Sequence, residues 1–150
     1  MHTIKLILFG KLKESYLREA CAEYEKRLGA YCKLEIIELP PVENKPAAQA
    51  LELEAALALS KIGSRASVAA LCVEGRPLSS EQFAAWLAQQ PSEIVLLIGS
   101  SHGMSESLKA RANLRLSMSA MTFPHQLARV MALEQIYRAF QINTGGKYHK

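Results

Sequence analysis

The feature that most constrains the fold is a regular alternation of short apolar runs, rich in Val, Ile and Leu, with segments of helical pattern. The strand-like runs lie at residues 3–9, 33–39, where apolar and polar residues alternate, 68–73, 94–98 and 114–118. The helical patterns cover residues 14–28, 47–62, 79–89, 105–112 and 122–141. Short, mostly apolar runs are typical of strands buried on both faces of a parallel sheet. The alternation therefore predicts an α/β fold with a mainly parallel sheet flanked by helices.

Local signals predict where several of these elements begin and end. Ser79 with Gln82 three residues later has the pattern of a capping box at a helix start. Thr122 is predicted to cap the last helix, with Pro124 in its first turn, where a missing N–H costs little. The Glu-Gly-Arg-Pro sequence at residues 74–77 predicts a turn after the third strand.

Length and composition indicate one globular domain. A chain of 150 residues can bury a core but is short for two domains. Its 49% hydrophobic and 21% charged residues are ordinary values, which exclude the disordered and fibrous classes. The apolar run at residues 4–9 is too short to cross a bilayer and lacks the features of a signal peptide. We therefore expect a single domain of residues 1–150, cytoplasmic and without a membrane partner.

The three cysteines indicate neither a disulfide nor a metal site. Cys21, Cys32 and Cys72 form no CxxC pair and have no histidine at ligand spacing. Free buried thiols and no bound metal are the expectation. The formal charge of +4 and the sequence pI of about 9.0 are compatible with an anionic partner such as nucleic acid. The cations are spread along the chain, however, and a solvated surface explains most of them.

The strongest candidate for a ligand site is the segment Gly-Ser-Ser-His-Gly at residues 99–103, called the glycine turn below. It follows a buried strand and precedes a helix, where ligands bind in open parallel sheets. It matches neither GxGxxG nor the P-loop pattern, which disfavours a dinucleotide site or a phosphate-binding nucleotide enzyme. From spacing alone, an ordinary strand-to-helix turn and a ligand site both remain open.

The last helix and the C-terminal tail each allow two interpretations. The helix is apolar around most of its circumference, which predicts either packing against a second subunit or a long core helix. Arg129 and Arg138 within it could contact the phosphate of a nucleic acid or pair with Glu134 across a dimer. Polar termini are usually frayed. The ending Tyr148, His149, Lys150 nevertheless combines an aromatic ring, an imidazole and a cation, which suit base stacking and proton transfer.

Several stretches of the chain resemble the RlmH family of SPOUT-superfamily methyltransferases. The resemblance depends on residues 116–129, on Leu-Glu-Gln-Ile-Tyr-Arg-Ala-Phe at 133–140 and on the Tyr-His-Lys ending. The start of the chain, Leu71 with residues 74–76, and the glycine turn extend it over essentially the full length. The resemblance implies a SPOUT-type α/β knot, that is, a C-terminal trefoil knot that forms an S-adenosylmethionine pocket across a homodimer. Periodicity alone does not predict a knot.

The resemblance also implies a reaction, methylation of N3 of a pseudouridine in 23S large-subunit ribosomal RNA, on assembled ribosomes. Carried over by position, the cofactor contacts fall on Leu71, Gly99, Met118, Ser119, Ala120, Met121, Thr122 and Phe123. One residue departs from the family pattern, because Ser100 stands where a second glycine is usual. A noncatalytic ribosome-associated RNA-binding protein with the same fold is the alternative.

The chemistry of such a methyl transfer suggests roles for the tail. An imide nitrogen must lose its proton, so a base or a cation that stabilises the developing anion would help. We expect His149 to remove the proton, with Lys150 or Arg129 stabilising negative charge and Tyr148 packing near the cofactor or base. His125, beside Pro124, is the weaker candidate and is expected to be a structural group near the helix cap.

Overall fold

The computed structural model describes residues 2–91 and 93–150 and contains five strands and five helices in alternation. In chain order they are β1 (His2–Phe9), α1 (Ser15–Leu28), β2 (Cys32–Leu39), α2 (Ala47–Leu59), β3 (Ser67–Pro77), α3 (Ser80–Gln89), β4 (Glu93–Ile98), α4 (Glu106–Arg111), β5 (Leu114–Ser117) and α5 (His125–Asn143). Each predicted apolar run is a strand, and each predicted helical pattern is a helix. The alternation was therefore sufficient to predict the fold class.

The five strands form one sheet in the order β2-β1-β4-β3-β5, and every neighbouring pair is parallel. The predicted parallel sheet is confirmed. Because parallel strands end at the same edge, the loops after β1, β2, β3 and β4 lie together at the carboxyl edge. The glycine turn directly follows β4 at this edge.

Helices cover both faces of the sheet. One face presents Leu6 and Leu96 to a core shared with Leu28 of α1, Leu87 of α3 and Leu133 of α5. The opposite face packs against α2 and α4 in a smaller cluster. Alternate side chains of one strand point to opposite faces, so β4 and most of β1 are buried on both sides and are largely apolar. Strand β2, at an edge of the sheet, is buried only at Cys32 and Leu39 and alternates apolar with charged residues.

The capping box is confirmed, and two predicted boundaries are wrong. The Ser79 hydroxyl accepts from the Gln82 N–H at 3.1 Å, and the Gln82 amide oxygen accepts from the Ser79 N–H at 2.8 Å. Residues 74–77 are not a turn, because β3 continues to Pro77 and pairs again with β5 after an irregularity between Leu71 and Arg76. Tertiary pairing thus overrides the local turn signal.

Thr122 does not cap the last helix. Helix α5 begins at His125 with Pro124 as its N-cap residue, and no side-chain hydrogen bond closes that end. The backbone of Pro124 is extended rather than helical, so the helix cannot begin before His125. Residues 118–124 are left as an irregular strap between β5 and α5.

Helix α5 packs against both α1 and α3. Its buried side chains include Leu133, Ile136 and Phe140, whereas Leu127 is 39% exposed. Arg138 forms an ion pair with Glu134 of the same helix and Arg129 with Glu38 of β2, so both cations have partners within one chain. Among residues 2–91 and 93–150, no helix is long and apolar enough to span a membrane.

Candidate functional site

A cavity of about 270 Å³ opens at the carboxyl edge of the sheet, between the end of β3, the glycine turn and the strap that leads into α5. We call it the turn cavity. Seven of the eight positions predicted to contact a cofactor line it: Leu71, Gly99, Met118, Ser119, Met121, Thr122 and Phe123. Ala120 is exposed and is not part of the lining. The structure thus brings together three segments that are far apart in sequence.

The glycine turn folds back on itself in a way that only glycine permits at both ends. A Cβ atom at Gly99 would collide with the Gly103 carbonyl group and lie 2.8 Å from its carbon, closer than real Cβ contacts. Gly103 has a φ of +93°, which side chains other than glycine rarely adopt. The Gly103 N–H donates to the Ser100 carbonyl at 2.9 Å and closes the turn. The two glycines therefore keep this wall thin and its backbone accessible.

A buried carboxylate anchors the glycine turn from behind. The Ser100 hydroxyl donates to Glu54 Oε1 at 2.7 Å, and the other Glu54 oxygen accepts from the Val42 N–H at 3.0 Å. Glu54 is only 2% exposed, although it belongs to α2 on the far face of the sheet. The Ser100 hydroxyl also accepts from the His102 N–H at 3.2 Å. This network connects α2, the loop after β2 and the glycine turn.

The strap forms the wall opposite the glycine turn. The Ser119 carbonyl accepts from the Ser117 hydroxyl at 2.9 Å, and the Ser119 hydroxyl accepts from the Met121 N–H at 3.0 Å. These local bonds hold an otherwise irregular segment in shape. Met121 is 73% exposed, so a large apolar side chain lies at the cavity mouth.

An ion pair that sequence reasoning missed lies at the same mouth. The Lys109 ammonium of α4 pairs with the Glu74 carboxylate of β3, and both side chains line the turn cavity. The hydrogen bond from Lys109 holds the pKa of Glu74 below its usual range. The two residues are 35 positions apart, and no local pattern connects them. Cys72 also lines the cavity as a free, half-buried thiol, and burial raises its pKa.

Glu54 was also missed, but the sequence carries a signal for it. Within α2, Ala50, Glu54 and Ala58 are spaced four residues apart and are all buried. A carboxylate in the middle of a buried alanine stripe requires hydrogen-bond partners. Such a position is therefore a marker for a buried polar network, even when its partners cannot be named.

The C-terminal tail is ordered against its own chain and does not line the turn cavity. His149 Nδ1 lies 2.9 Å from an Arg138 nitrogen, and His149 Nε2 lies 2.6 Å from Glu81 Oε1. An Arg nitrogen can only donate, so Nδ1 accepts and Nε2 carries the proton that Glu81 accepts. The hydrogen bond from His149 lowers the pKa of Glu81. In this arrangement the imidazole lone pair is occupied.

Tyr148 is held by aromatic and polar contacts. Its ring meets Tyr137 edge-on at 4.8 Å, and the Arg138 guanidinium lies over the ring at the same distance. Its hydroxyl lies 3.4 Å from the Tyr24 hydroxyl and donates to Glu134 at 3.3 Å. The Tyr24 contact, burial and the Glu134 carboxylate raise the pKa of Tyr148 to about 12. The phenol is therefore protonated at neutral pH.

The remaining candidates lie in different environments. Lys150 is exposed at the chain end. Arg129 is buried and pairs with Glu38 at 2.7 Å, and it does not line the turn cavity. His125, at the start of α5, does line the cavity. Within residues 2–91 and 93–150, no group of three His, Cys, Asp or Glu side chains is placed to hold a metal ion.

Comparisons with known proteins agree over nearly the whole chain. A family described as "Predicted SPOUT methyltransferase" matches residues 2–149. Ribosomal RNA large subunit methyltransferase H from Streptococcus suis is 46% identical, and the alignment covers 98% of this chain and 99% of that protein. The protein of the same name from Bacillus cytotoxicus is 48% identical with the same coverage.

A solved structure supports the fold independently of close sequence similarity. Ribosomal RNA small subunit methyltransferase E from Neisseria gonorrhoeae, bound to S-adenosyl methionine, superposes with a TM-score of 0.57. The sequence identity is 13%, and the match covers 95% of this chain and 66% of that one. At this identity the similarity concerns the fold alone.

Proposed function

This chain belongs to the SPOUT methyltransferase family, and from that membership we propose that it transfers a methyl group from S-adenosylmethionine to large-subunit ribosomal RNA. The relatives that share its full length carry the name of that activity. The observation that supports the cofactor site most strongly is the convergence of Leu71, Gly99 and the strap on one cavity. The chain is accordingly an S-adenosylmethionine-dependent RNA methyltransferase.

The residues of the turn cavity fit this cofactor. The apolar side chains Leu71, Ile98 and Met118 suit a purine ring, and the exposed backbone of the glycine turn suits its polar edges. The hydroxyls of Ser119 and Thr122 can bond ribose oxygens, and the Glu74–Lys109 pair offers charges of both signs to an amino acid moiety. When bound, S-adenosylmethionine supplies an electrophilic methyl group on a sulfonium. The thin wall at Gly99 leaves room for close backbone approach.

We propose N3 of a pseudouridine as the methyl acceptor and the tail as the source of catalytic groups. His149 removes the imide proton through Nδ1, after Arg138 releases that nitrogen. Lys150 stabilises the developing negative charge, and Tyr148 packs against the target base. Arg129, which is buried and paired with Glu38, supports the wall behind Gly99 and is less suited to contact the base. Alignment of the acceptor nitrogen with the methyl group supplies most of the rate enhancement of methyl transfer.

A homodimer reconciles this chemistry with the position of the tail. No tail residue lines the turn cavity of its own chain, so the tail of a second copy is the one that completes the site. The surface for that copy is the α5 cleft, about 320 Å³ between α1, α3 and α5, lined by apolar residues such as Leu78, Val130 and Met131. This cleft shares Leu71 and Met118 with the turn cavity. A partner seated there lies next to the cofactor wall.

Three further features complete the proposal. Residues 1–150 form one domain, because all five strands join one sheet. The strap and α5 form a C-terminal trefoil knot, supported by the tight passage of β5 past Gly75, where a Cβ atom would lie 2.8 Å from the Arg115 carbonyl carbon. The protein acts in the cytoplasm. It acts on assembled ribosomes, because a small domain has little surface of its own with which to select one RNA site.

The test is mass mapping of ribosomal RNA from cells that lack the protein and from cells to which it is restored. One methyl group on a large-subunit pseudouridine should disappear and return with the protein. Purified protein should methylate ribosomes faster than naked ribosomal RNA, and equal rates would contradict action on assembled ribosomes. A protein that binds ribosomes but gives no heat with S-adenosylmethionine in calorimetry would instead be the noncatalytic alternative.

A further inference from the structure

A third concavity lies on the other side of the glycine turn from the turn cavity. It measures about 580 Å³ and is bounded by the loop after β1, the loop after β2 and the outer side of the glycine turn. We call it the lysine groove, because Lys11 and Lys13 line it together with Pro41, His102 and Gln126. None of the roles proposed above uses this groove.

The lysine groove adjoins the proposed methyl-transfer site. Ser100 and His125 line both concavities, so only the thickness of the glycine turn separates them. A polymer that places one unit at the turn cavity can therefore place its neighbouring units in the lysine groove. The ligand of the groove is therefore expected to be a neighbouring part of the same polymer that carries the methyl acceptor.

The cations of the groove are available to a ligand. Lys11 and Lys13 are exposed, and neither belongs to any of the ion pairs among residues 2–91 and 93–150. Their loop is nevertheless held in place, since Arg18 of α1 donates to the carbonyls of Lys13 at 2.7 Å and Leu12 at 3.3 Å. Two free ammonium groups on an anchored loop suit phosphate oxygens.

The walls of the groove are connected to each other and to the glycine turn. The Gly10 N–H donates to the Leu39 carbonyl at 2.8 Å, which links the loops after β1 and β2. The Val42 N–H donates to Glu54, the same carboxylate that accepts from the Ser100 hydroxyl. Hydrogen bonds therefore connect the loops that form the walls of the groove.

Two carboxylates also line the groove, and their positions differ. Glu38 is neutralised by Arg129 at 2.7 Å. Glu43 lies in the exposed loop after β2 and has no ion-pair partner among the described residues. The unpaired charges that line the groove are thus two lysines and one exposed glutamate, so the net charge of the groove is positive.

We propose that the lysine groove binds the phosphate backbone of the RNA strand that carries the methyl acceptor, through Lys11 and Lys13. This inference rests on the proposed function for the identity of the acceptor. The groove determines which nucleotide of the RNA strand reaches the turn cavity. The turn cavity itself holds the cofactor.

The test compares K11A/K13A with the matched control K33A/K61A, which removes two exposed lysines from the amino-edge side of the sheet. Methyl transfer is followed with tritiated S-adenosylmethionine on ribosomes from cells lacking the protein, at several KCl concentrations. K11A/K13A should raise the KM for ribosomes about tenfold or more and reduce the slope of log affinity against log salt by roughly 0.7 per lost phosphate contact. Cofactor affinity by calorimetry should be unchanged, K11R/K13R should restore the KM, and Glu43→Gln should lower it.

Filter binding of the same ribosomes separates the groove from the chemistry. If wild-type protein binds ribosomes in a Lys11- and Lys13-dependent manner without methylating them, the groove assignment stands and the proposed function fails. If K11A/K13A binds and methylates with the same KM and salt slope as K33A/K61A, the groove assignment is wrong.

Discussion

The Ser100 hydroxyl donates a 2.7 Å hydrogen bond to the Glu54 carboxylate, and this contact joins the glycine turn to a helix on the far face of the sheet. The resemblance implies a second glycine at the position of Ser100. The Ser100 side chain gives a buried carboxylate a hydrogen-bond donor. The turn that lines the turn cavity is held from behind by a bond that a glycine cannot make.

Ser100→Ala should lower the free energy of unfolding by about 1–3 kcal/mol, because it leaves a buried carboxylate oxygen without a donor. It should also weaken S-adenosylmethionine binding, since the turn loses its anchor. Urea denaturation and calorimetry measure the two effects. Ser101→Ala, at the exposed neighbouring hydroxyl, should change stability by less than about 0.5 kcal/mol. Equal behaviour of the two variants would mean that the bond contributes nothing.

Gly99→Ala should abolish detectable cofactor binding, because its Cβ would collide with the Gly103 carbonyl and force the cavity wall to move. Gly63→Ala is a suitable control, since a Cβ there meets its nearest neighbour, a Glu93 carboxylate oxygen, at an ordinary 3.5 Å. Circular dichroism should show that both variants are folded. A Gly99→Ala protein that binds S-adenosylmethionine normally would exclude the turn as a cofactor wall.

Tyr148 should remain protonated through the whole physiological range, because its pKa is raised to about 12. A raised folded-state pKa stabilises the protein below the unfolded value near 10, and this contribution is lost as the pH rises from about 10 through about 12. Absorbance at alkaline pH should show a late tyrosine titration that Tyr148→Phe removes and Tyr16→Phe retains. Ionisation of this tyrosine near pH 10 would show that the tail does not dock as described.

Mixing two inactive variants should restore activity if the tail of one subunit serves the cavity of the other. Gly99→Ala lacks a working cavity, and a chain truncated after Lys147 lacks Tyr148, His149 and Lys150. Refolded together in equal amounts, they should give roughly a quarter of wild-type activity, since about half of the dimers are mixed and each mixed dimer has one complete site. If the tail acts on its own chain, mixing restores nothing.

The sequence was informative where structure is local and uninformative where it is not. The apolar run at residues 94–98 predicted β4 because burial on both faces imposes an apolar pattern, and the alternation at residues 33–39 predicted the edge strand β2. Ser79 with Gln82 predicted a capping box because its bonds span three residues. The turn predicted at residues 74–77 was wrong because pairing with β5 outweighs a local turn signal. The bond of Ser100 to Glu54 and that of His149 to Glu81 join positions 46 and 68 residues apart, which no local pattern specifies.

The candidate site was predicted from resemblance rather than from periodicity. Spacing alone left residues 99–103 as an ordinary turn or a ligand site, and it gave no reason to place them against the strap. The fold brings the two together because β4 and β3 are neighbours and β5 lies next to β3. Which segments meet depends on the order of the strands in the sheet. That order is a property of the whole chain, so no local pattern predicts it.

The central claim is that this chain methylates large-subunit ribosomal RNA, and mass mapping of that RNA tests it most directly. Ribosomes from cells lacking the protein, incubated with purified protein and S-adenosylmethionine, should gain one methyl group on a single pseudouridine, and Gly99→Ala protein should add none. An unchanged mass at every large-subunit pseudouridine, with wild-type protein folded and ribosomes intact, would contradict the account.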